Sequence, residues 1–263
     1  MNPLPHQLDR TIVIQATRDV VFRYFTDSAR WATWWGAGST IDARPGGRVT
    51  IRYPGPVEVR GEILDVRAPE LIVFTYGYVN GQPPIPVGGS RVTIRLEEAP
   101  GSSTRLHLTH EFTDAGHRDM HVQGWRYQLS LFGNVVSNEV NAGAVNLVDA
   151  WFDAWAKPDT GAREKALTSI ASPGVRFHDR FSLTEGLADL FPHIAAAQHF
   201  MPGIRLHRVG DVRHCQGTVL VDWVARGADG REHGSGTNVF TLGADGRIVA
   251  VTGFWAAANS SSQ

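Results

Sequence analysis

The 263-residue chain has one cysteine and two lysines. With Cys215 alone, no internal disulfide can close and a zinc site built on thiolates is excluded. Lys157 and Lys165 are the only lysines, which argues against Schiff-base chemistry. No run of about 18 apolar residues occurs, so no membrane-spanning helix is expected. The opening stretch, MNPLPHQLDR, lacks the apolar core of a secretory leader. Charge of one sign is missing too. Net charge is −1, and a cut near residue 139 leaves 14 basic against 14 acidic residues before it and 11 against 12 after it. Neither half has the basic footprint of a nucleic-acid binder or the character of an acidic tail. The glycine pair in ARPGGR is not followed by a helix whose N–H groups could cradle a phosphate, so it reads as a hairpin turn. No Ser–His–Asp spacing stands out. These absences point to a cytoplasmic protein without metal or cofactor, and without nucleic-acid or membrane partners.

What is present is ordinary globular material, 42% hydrophobic and 19% charged, long enough for two cores. The first half opens with a strand in RTIVIQA. Helices follow in RDVVFRYFTD and SARWATWW, then strand-like runs in GRVTIRY, VEVRGEILDVRAP, ELIVFTYGYV, SRVTIRLEEA and TRLHLTHEF. In SRVTIRLEE, Val92, Ile94 and Leu96 alternate with polar neighbours, the mark of a strand with one wet face. From His117 to about Ser137 the period becomes helical, with His121, Trp125, Leu129, Phe132 and Val136 on one stripe. Gly124 would let this helix approach the sheet closely. The second half begins with helical pattern in AVNLVDAWFDAWA, GAREKALTSIA and TEGLADLFPHIAAAQHF. Strands follow near 204–214, 217–226, 232–242 and 247–255, joined by Gly/Asp turns. Helices followed by an antiparallel sheet make an α+β pattern. The polar stretch SNEVNAG between two apolar stripes divides the chain into domains 1–139 and 140–263, and the final AAANSSSQ reads as a frayed tail.

Five motifs in order, TDSARWATWWG, DARPGGRVTI, GEILDVRAPELIVFTY, RLHLTHEF and HVQGWRYQL, give residues 9–138 a resemblance to homologues of the heat-shock protein 90 ATPase activator, within the START-like SRPBCC superfamily. The resemblance implies a helix-grip fold, a curved antiparallel sheet closing on a long helix around a cavity. Residues 142–257 resemble SnoaL-like members of the nuclear transport factor 2-like superfamily, through VDAWFDAW, VRFHD, FPHI, GTVLVDW and ADGRIVAVTGFW. That resemblance implies a cone-shaped α+β barrel, a scaffold that hosts many activities.

The stretch VRFHDRFS carries the leading site candidate. If it is extended throughout, Phe177, Asp179 and Phe181 share one face. A carboxylate desolvated between two rings would be a stronger base; one held by hydrogen bonds would be structural. Ketosteroid isomerases share the SnoaL-like scaffold, and the resemblance places Asp179 at their base position. It places Asn238 at the oxyanion-donor position and Trp151 near the tyrosine that is the second donor. Together they imply cofactor-independent proton transfer on a small apolar carbonyl compound of polyketide- or steroid-like character. An epoxide-hydrolase relay on the same scaffold would need an arginine and an aspartate where Leu220 and Gly253 stand. Asp222 alternates with Leu220 and Val224 and could line the same cavity, or be bonded to a strand neighbour.

Trp31, Trp34, Trp35, His110, His121 and Trp125 are expected to pack around a ligand cavity in the first half, and Phe177, Phe181, Trp223 and Phe254 in the second. His117 and His121 lie four apart on a helix, with His110 on a strand. No third fixed ligand accompanies the helical pair, and His121 belongs to the family's His-x-x-Gly-Trp motif, so a metal is not expected. The polar loop 77–89 could cover a pocket or be a plain surface loop. A rival function is non-catalytic binding of a ligand or partner, and a homodimer is compatible with either.

Overall fold

The structure is a computed structural model and describes residues 3–81 and 83–256. The terminal tail from Ala257 onward and Gln82 of the polar loop lie outside the described residues. The chain divides into two compact units, Met1–Glu139 and Val140–Gln263.

In the first unit the elements run β1 (His6–Ile14), α1 (Arg18–Arg23), α2 (Ser28–Trp35), β2 (Thr40–Ile41), β3 (Arg48–Arg52), β4 (Glu58–Arg67), β5 (Leu71–Tyr78), β6 (Ser90–Ala99), β7 (Ser103–Phe112) and α3 (Ala115–Val140). All seven strands pair antiparallel in the order β1-β7-β6-β5-β4-β3-β2. Alternation decides which face is buried: Val92, Ile94 and Leu96 of β6 and Leu106 and Leu108 of β7 are all inside. The long α3 buries the stripe read from the sequence, His121, Trp125, Leu129, Phe132 and Val136. Phe132 meets Phe25 at 5.1 Å and Trp34 at 4.7 Å, so α1, α2 and α3 share one aromatic core. Asp27 caps α2 by accepting from Arg30 N, and Arg30 in turn holds Glu139 near the end of α3. This is the helix-grip arrangement that the resemblance implies.

In the second unit the elements run α4 (Ala144–Ala156), α5 (Thr160–Ile170), β8 (Ala171–His178), β9 (Leu183–Glu185), α6 (Leu187–Phe200), β10 (Arg205–Cys215), β11 (Thr218–Arg226), β12 (Glu232–Leu242) and β13 (Ile248–Trp255). The sheet order is β10-β11-β12-β13-β8-β9. It is mixed rather than purely antiparallel, because β8 joins β13 in parallel. β9 takes residues that the helical pattern assigned to the start of α6. Val148, Trp151 and Phe152 of α4, Leu167 of α5, and Leu190 and Ile194 of α6 form one core with Val219, Val221, Phe240 and Val251 of the sheet. At one end of that core Arg163, only 2% exposed, donates to Lys157 O and to Gln198 Oε1. Gln198 donates to Trp155 O and Lys157 O, which ties the three helices together. Among the described residues no helix is long and apolar enough to cross a membrane.

Candidate functional site

The second unit contains a cavity of about 570 Å³ between α4, α6 and the sheet. Its position follows from strand register. Val221, Asn238 and Gly253 stand in one row across β11, β12 and β13, and Trp223, Gly236 and Trp255 in the next. Asn238, Gly253, Trp223 and Trp255 all face the cavity. Gly236 leaves space for two rings: a Cβ there would lie 2.7 Å from the Trp223 ring, which meets Trp255 edge-on at 5.0 Å.

Asp179 joins this wall from the end of β8. The chain is extended only to His178. Asp179 and Ser182 then close a tight turn through paired backbone hydrogen bonds of 3.0 and 3.4 Å. Phe181 is therefore not stacked beside Phe177 on one strand face. It sits 67% exposed at the rim of the cavity, edge-on to Trp255 at 5.3 Å. The half-buried Asp179 carboxylate accepts from Phe181 N at 2.8 Å and from the Trp255 indole at 3.0 Å. It is oriented by hydrogen bonds rather than desolvated between rings.

Asn238 is 4% exposed and its Oδ1 accepts from Trp223 Nε1 at 3.0 Å. An indole nitrogen can only donate, so the amide orientation is set and Nδ2 is the other end. Among the described residues no hydrogen bond is made by that NH2. A Cβ on Gly253 would lie 3.0 Å from Asp179 Cβ and 3.3 Å from Asn238 Oδ1. Asp179 and Asn238 are thus neighbours across a residue without a side chain, with the amide oxygen the end nearer Gly253.

The remaining walls are aromatic and apolar. Trp151 is fully buried and packs on Phe177, Trp155 and Phe240, lining the floor. His193 of α6 lies 5.8 Å from Phe177, the rings tilted by 36°, and faces the cavity as a second titratable group. Two expected lining residues fall elsewhere. Asp222 accepts from Thr237 Oγ1 at 2.5 Å and pairs with Arg213 at 3.2 Å on the opposite face of the sheet. Phe254, 58% exposed, is on that same outer face, in register with Thr237 and Asp222. Strand phase is the reason: Trp223 and Trp255 point in, so their neighbours point out.

The first unit has a smaller cavity, about 280 Å³, lined by Trp35, Trp125 and His121 with Tyr53, Tyr76 and Tyr78. Trp31 and Trp34 are buried in the aromatic core and His110 lies behind the wall, so these three expected lining residues support the cavity without facing it. His110 Nδ1 accepts from Trp125 Nε1 at 2.9 Å and its Nε2 meets Ser90 Oγ at 2.9 Å. Burial, with the adjacent His121, holds the His110 imidazole well below its ordinary range. His121 is also lowered by burial, and its two nitrogens meet His117 O at 2.7 Å and Tyr78 OH at 3.0 Å. Gly124 does not touch the sheet: a Cβ there would meet nothing within 4 Å, and the residue borders the cavity.

Sequence reading missed Trp255, His193 and the three tyrosines. Tyr76 and Tyr78 stand two apart in ELIVFTYGYV and so share a strand face, a signal that was available.

Residues 15–137 match the family described as activator of Hsp90 ATPase homolog 1-like protein, and residues 148–251 match the SnoaL-like domain. The chain therefore joins a START-like helix-grip domain to a cone-shaped SnoaL-like domain. Among solved structures, a SnoaL-like family protein from Agrobacterium tumefaciens is 25% identical over 43% of this chain and 97% of its own, with a TM-score of 0.42. CalU16 from Micromonospora echinospora is 26% identical over 51% of this chain and 77% of its own, with a TM-score of 0.41. The Aha1 dimer from Colwellia psychrerythraea is 15% identical over 48% and 92%, at 0.40. No curated protein matches the chain.

Proposed function

We propose that the second unit binds a small, largely apolar carbonyl compound, polyketide- or steroid-like, and moves a proton beside its carbonyl in an isomerase or cyclase step without a cofactor. The observation that carries this reading is the pairing of Asp179 and Asn238 around Gly253 on the wall of an otherwise apolar cavity. A carbonyl oxygen placed at Asn238 Nδ2 accepts its N–H. A C–H bond next to that carbonyl then breaks toward Asp179, the proton going to the carboxylate and the electron pair into an enolate. Asn238 stabilises the charge arriving on oxygen, and the acid returns the proton to the same or another carbon. Trp151 and Trp223 orient the apolar frame. In this reading the START-like unit binds, presents or sequesters the ligand.

A second reading, binding without catalysis, draws support from Asp179 accepting a hydrogen bond at each oxygen, so that both are already engaged in holding the turn and the indole. Deuterium exchange of the fused-ring ketone 2-tetralone separates the two. Catalysis predicts exchange above the buffer rate that falls by about 100-fold or more in Asp179→Asn, with affinity largely retained. Bound ketone that exchanges no faster than in buffer leaves only the binding reading.

A further inference from the structure

We infer that the cavity of the first unit selects ligands that donate a hydrogen bond, a phenol or alcohol hydroxyl on an apolar frame, and that Tyr53 accepts it. The inference follows from counting protons along a chain of four side chains. His121 Nδ1 lies 2.7 Å from the His117 carbonyl, which can only accept, so Nδ1 carries the hydrogen. The ring is buried and the only polar side chain bonded to it among the described residues is Tyr78, so it has no carboxylate to favour a second proton. Its Nε2 is therefore a lone pair, and the Tyr78 hydroxyl 3.0 Å away must donate to it. Tyr78 having spent its proton, Tyr76 donates to Tyr78 at 3.3 Å. Tyr76 having spent its own, Tyr53 donates to Tyr76 at 3.0 Å. Burial pushes all three phenols above their ordinary value, so each keeps its proton and none becomes a phenolate.

Every hydroxyl hydrogen in the row thus points toward His121. Tyr53, at the open end, accepts no hydrogen bond among the described residues, so both its lone pairs are available there. Gln128 turns Nε2 to the Trp34 carbonyl, leaving Oε1 as the other end of its amide. Trp125 gives its N–H to His110, and the Trp35 N–H, without a partner, is buried beneath the surface and not presented to the cavity. Among the described residues the row of rings therefore ends in an acceptor, the Tyr53 hydroxyl oxygen, with no hydroxyl hydrogen left over. A ligand hydroxyl finds a partner at Tyr53, whereas an ether or ketone oxygen at the same place meets only lone pairs. The second unit has the opposite polarity at Asn238 Nδ2, so the two cavities accept opposite hydrogen-bonding forms of an oxygen substituent. The inference does not rest on the reaction proposed there, because it concerns residues of the first unit alone.

Isothermal titration of the full chain with 2-naphthol and 2-methoxynaphthalene tests it, since the two differ by one methyl on one oxygen. The naphthol should bind about tenfold more tightly, and Tyr53→Phe, which deletes the acceptor, should bring the pair level. Gly124→Leu fills the cavity from a helix position where an added Cβ meets nothing within 4 Å, so it should abolish the preference with the fold intact. Equal binding of the two probes to the unmodified protein overturns the inference. So does a preference that survives in Gly124→Leu, which would place the selectivity elsewhere. If Tyr53→Phe does not fold, the Gly124→Leu comparison decides alone.

Discussion

Trp223 donates its indole N–H to Asn238 Oδ1 at 3.0 Å, and that one bond determines which end of a buried amide meets the cavity. Replacing Trp223 with Phe keeps a ring and removes the donor. Asn238 Oδ1 then lies buried without a partner, at a cost of about 1–3 kcal/mol. The amide also becomes free to turn. Urea unfolding should show the loss, and titration with 2-tetralone should show weaker binding. A variant unchanged in both would mean the indole does not orient the amide.

Gly253→Ala tests how closely Asp179 and Asn238 must stand. Gly253 does not adopt positive φ, so alanine is not strained there by its backbone. The added methyl would lie 3.0 Å from Asp179 Cβ and 3.3 Å from Asn238 Oδ1, forcing the pair apart by a few tenths of an ångström. Ketone exchange should fall on the order of tenfold, because proton transfer is sensitive to small misplacements. Thermal unfolding should move little by comparison. Undiminished exchange would separate the chemistry from this pair.

The helix tie at Arg163 should be costly to break. Gln198→Leu removes the acceptor 2.7 Å from Arg163 Nη1 and the donor to two carbonyls. A buried guanidinium short of a partner is expected to lower stability by about 1–3 kcal/mol, read as a shift in urea midpoint. No shift would mean the side chain is held by its remaining carbonyl and hydroxyl partners.

His110 and His121 should make the first unit acid-sensitive. Burial holds both below the ordinary imidazole value, so both are neutral when folded. Their contribution is complete above the unfolded value of about 6.5. It declines as pH falls through that value, because the unfolded chain then binds more protons than the folded one. His110→Gln keeps one donor and one acceptor without a titrating ring. Its unfolding midpoint should depend less on pH between about 5.5 and 8 than that of the unmodified chain. An identical slope would show that His110 does not carry the effect.

Local alternation and helical stripes made most elements readable, down to the buried face of α3. Two kinds of information were not local. The turn at Asp179–Ser182 depends on a hydrogen-bonded ring between residues that strand propensity alone leaves extended, and it carried Phe181 to the rim. Face assignment on β11 and β13 failed because apolar side chains lie on both sides of the sheet. Val224 is as buried as Trp223, so hydrophobicity could not tell Asp222 from its neighbours or Phe254 from Trp255. The row Tyr53, Tyr76, Tyr78 and His121 spans β5, α3 and the end of β3, a convergence visible only in three dimensions.

The parallel pairing of β8 with β13 has a consequence for how the second cavity comes into being. The bond from Trp255 to Asp179 joins residues 76 apart in the chain, and Gly253 and Trp255 both belong to the last strand of the sheet. Contacts that distant form late, since a long loop must close before they reward the chain. α4, α5 and α6 can assemble from neighbouring segments while the polar wall is still missing. The amide can be oriented within β11 and β12, whereas the carboxylate joins it only with the docking of β13. A folding intermediate short of that step would expose Trp151 and Phe177 with the Asp179 carboxylate not yet held by Trp255.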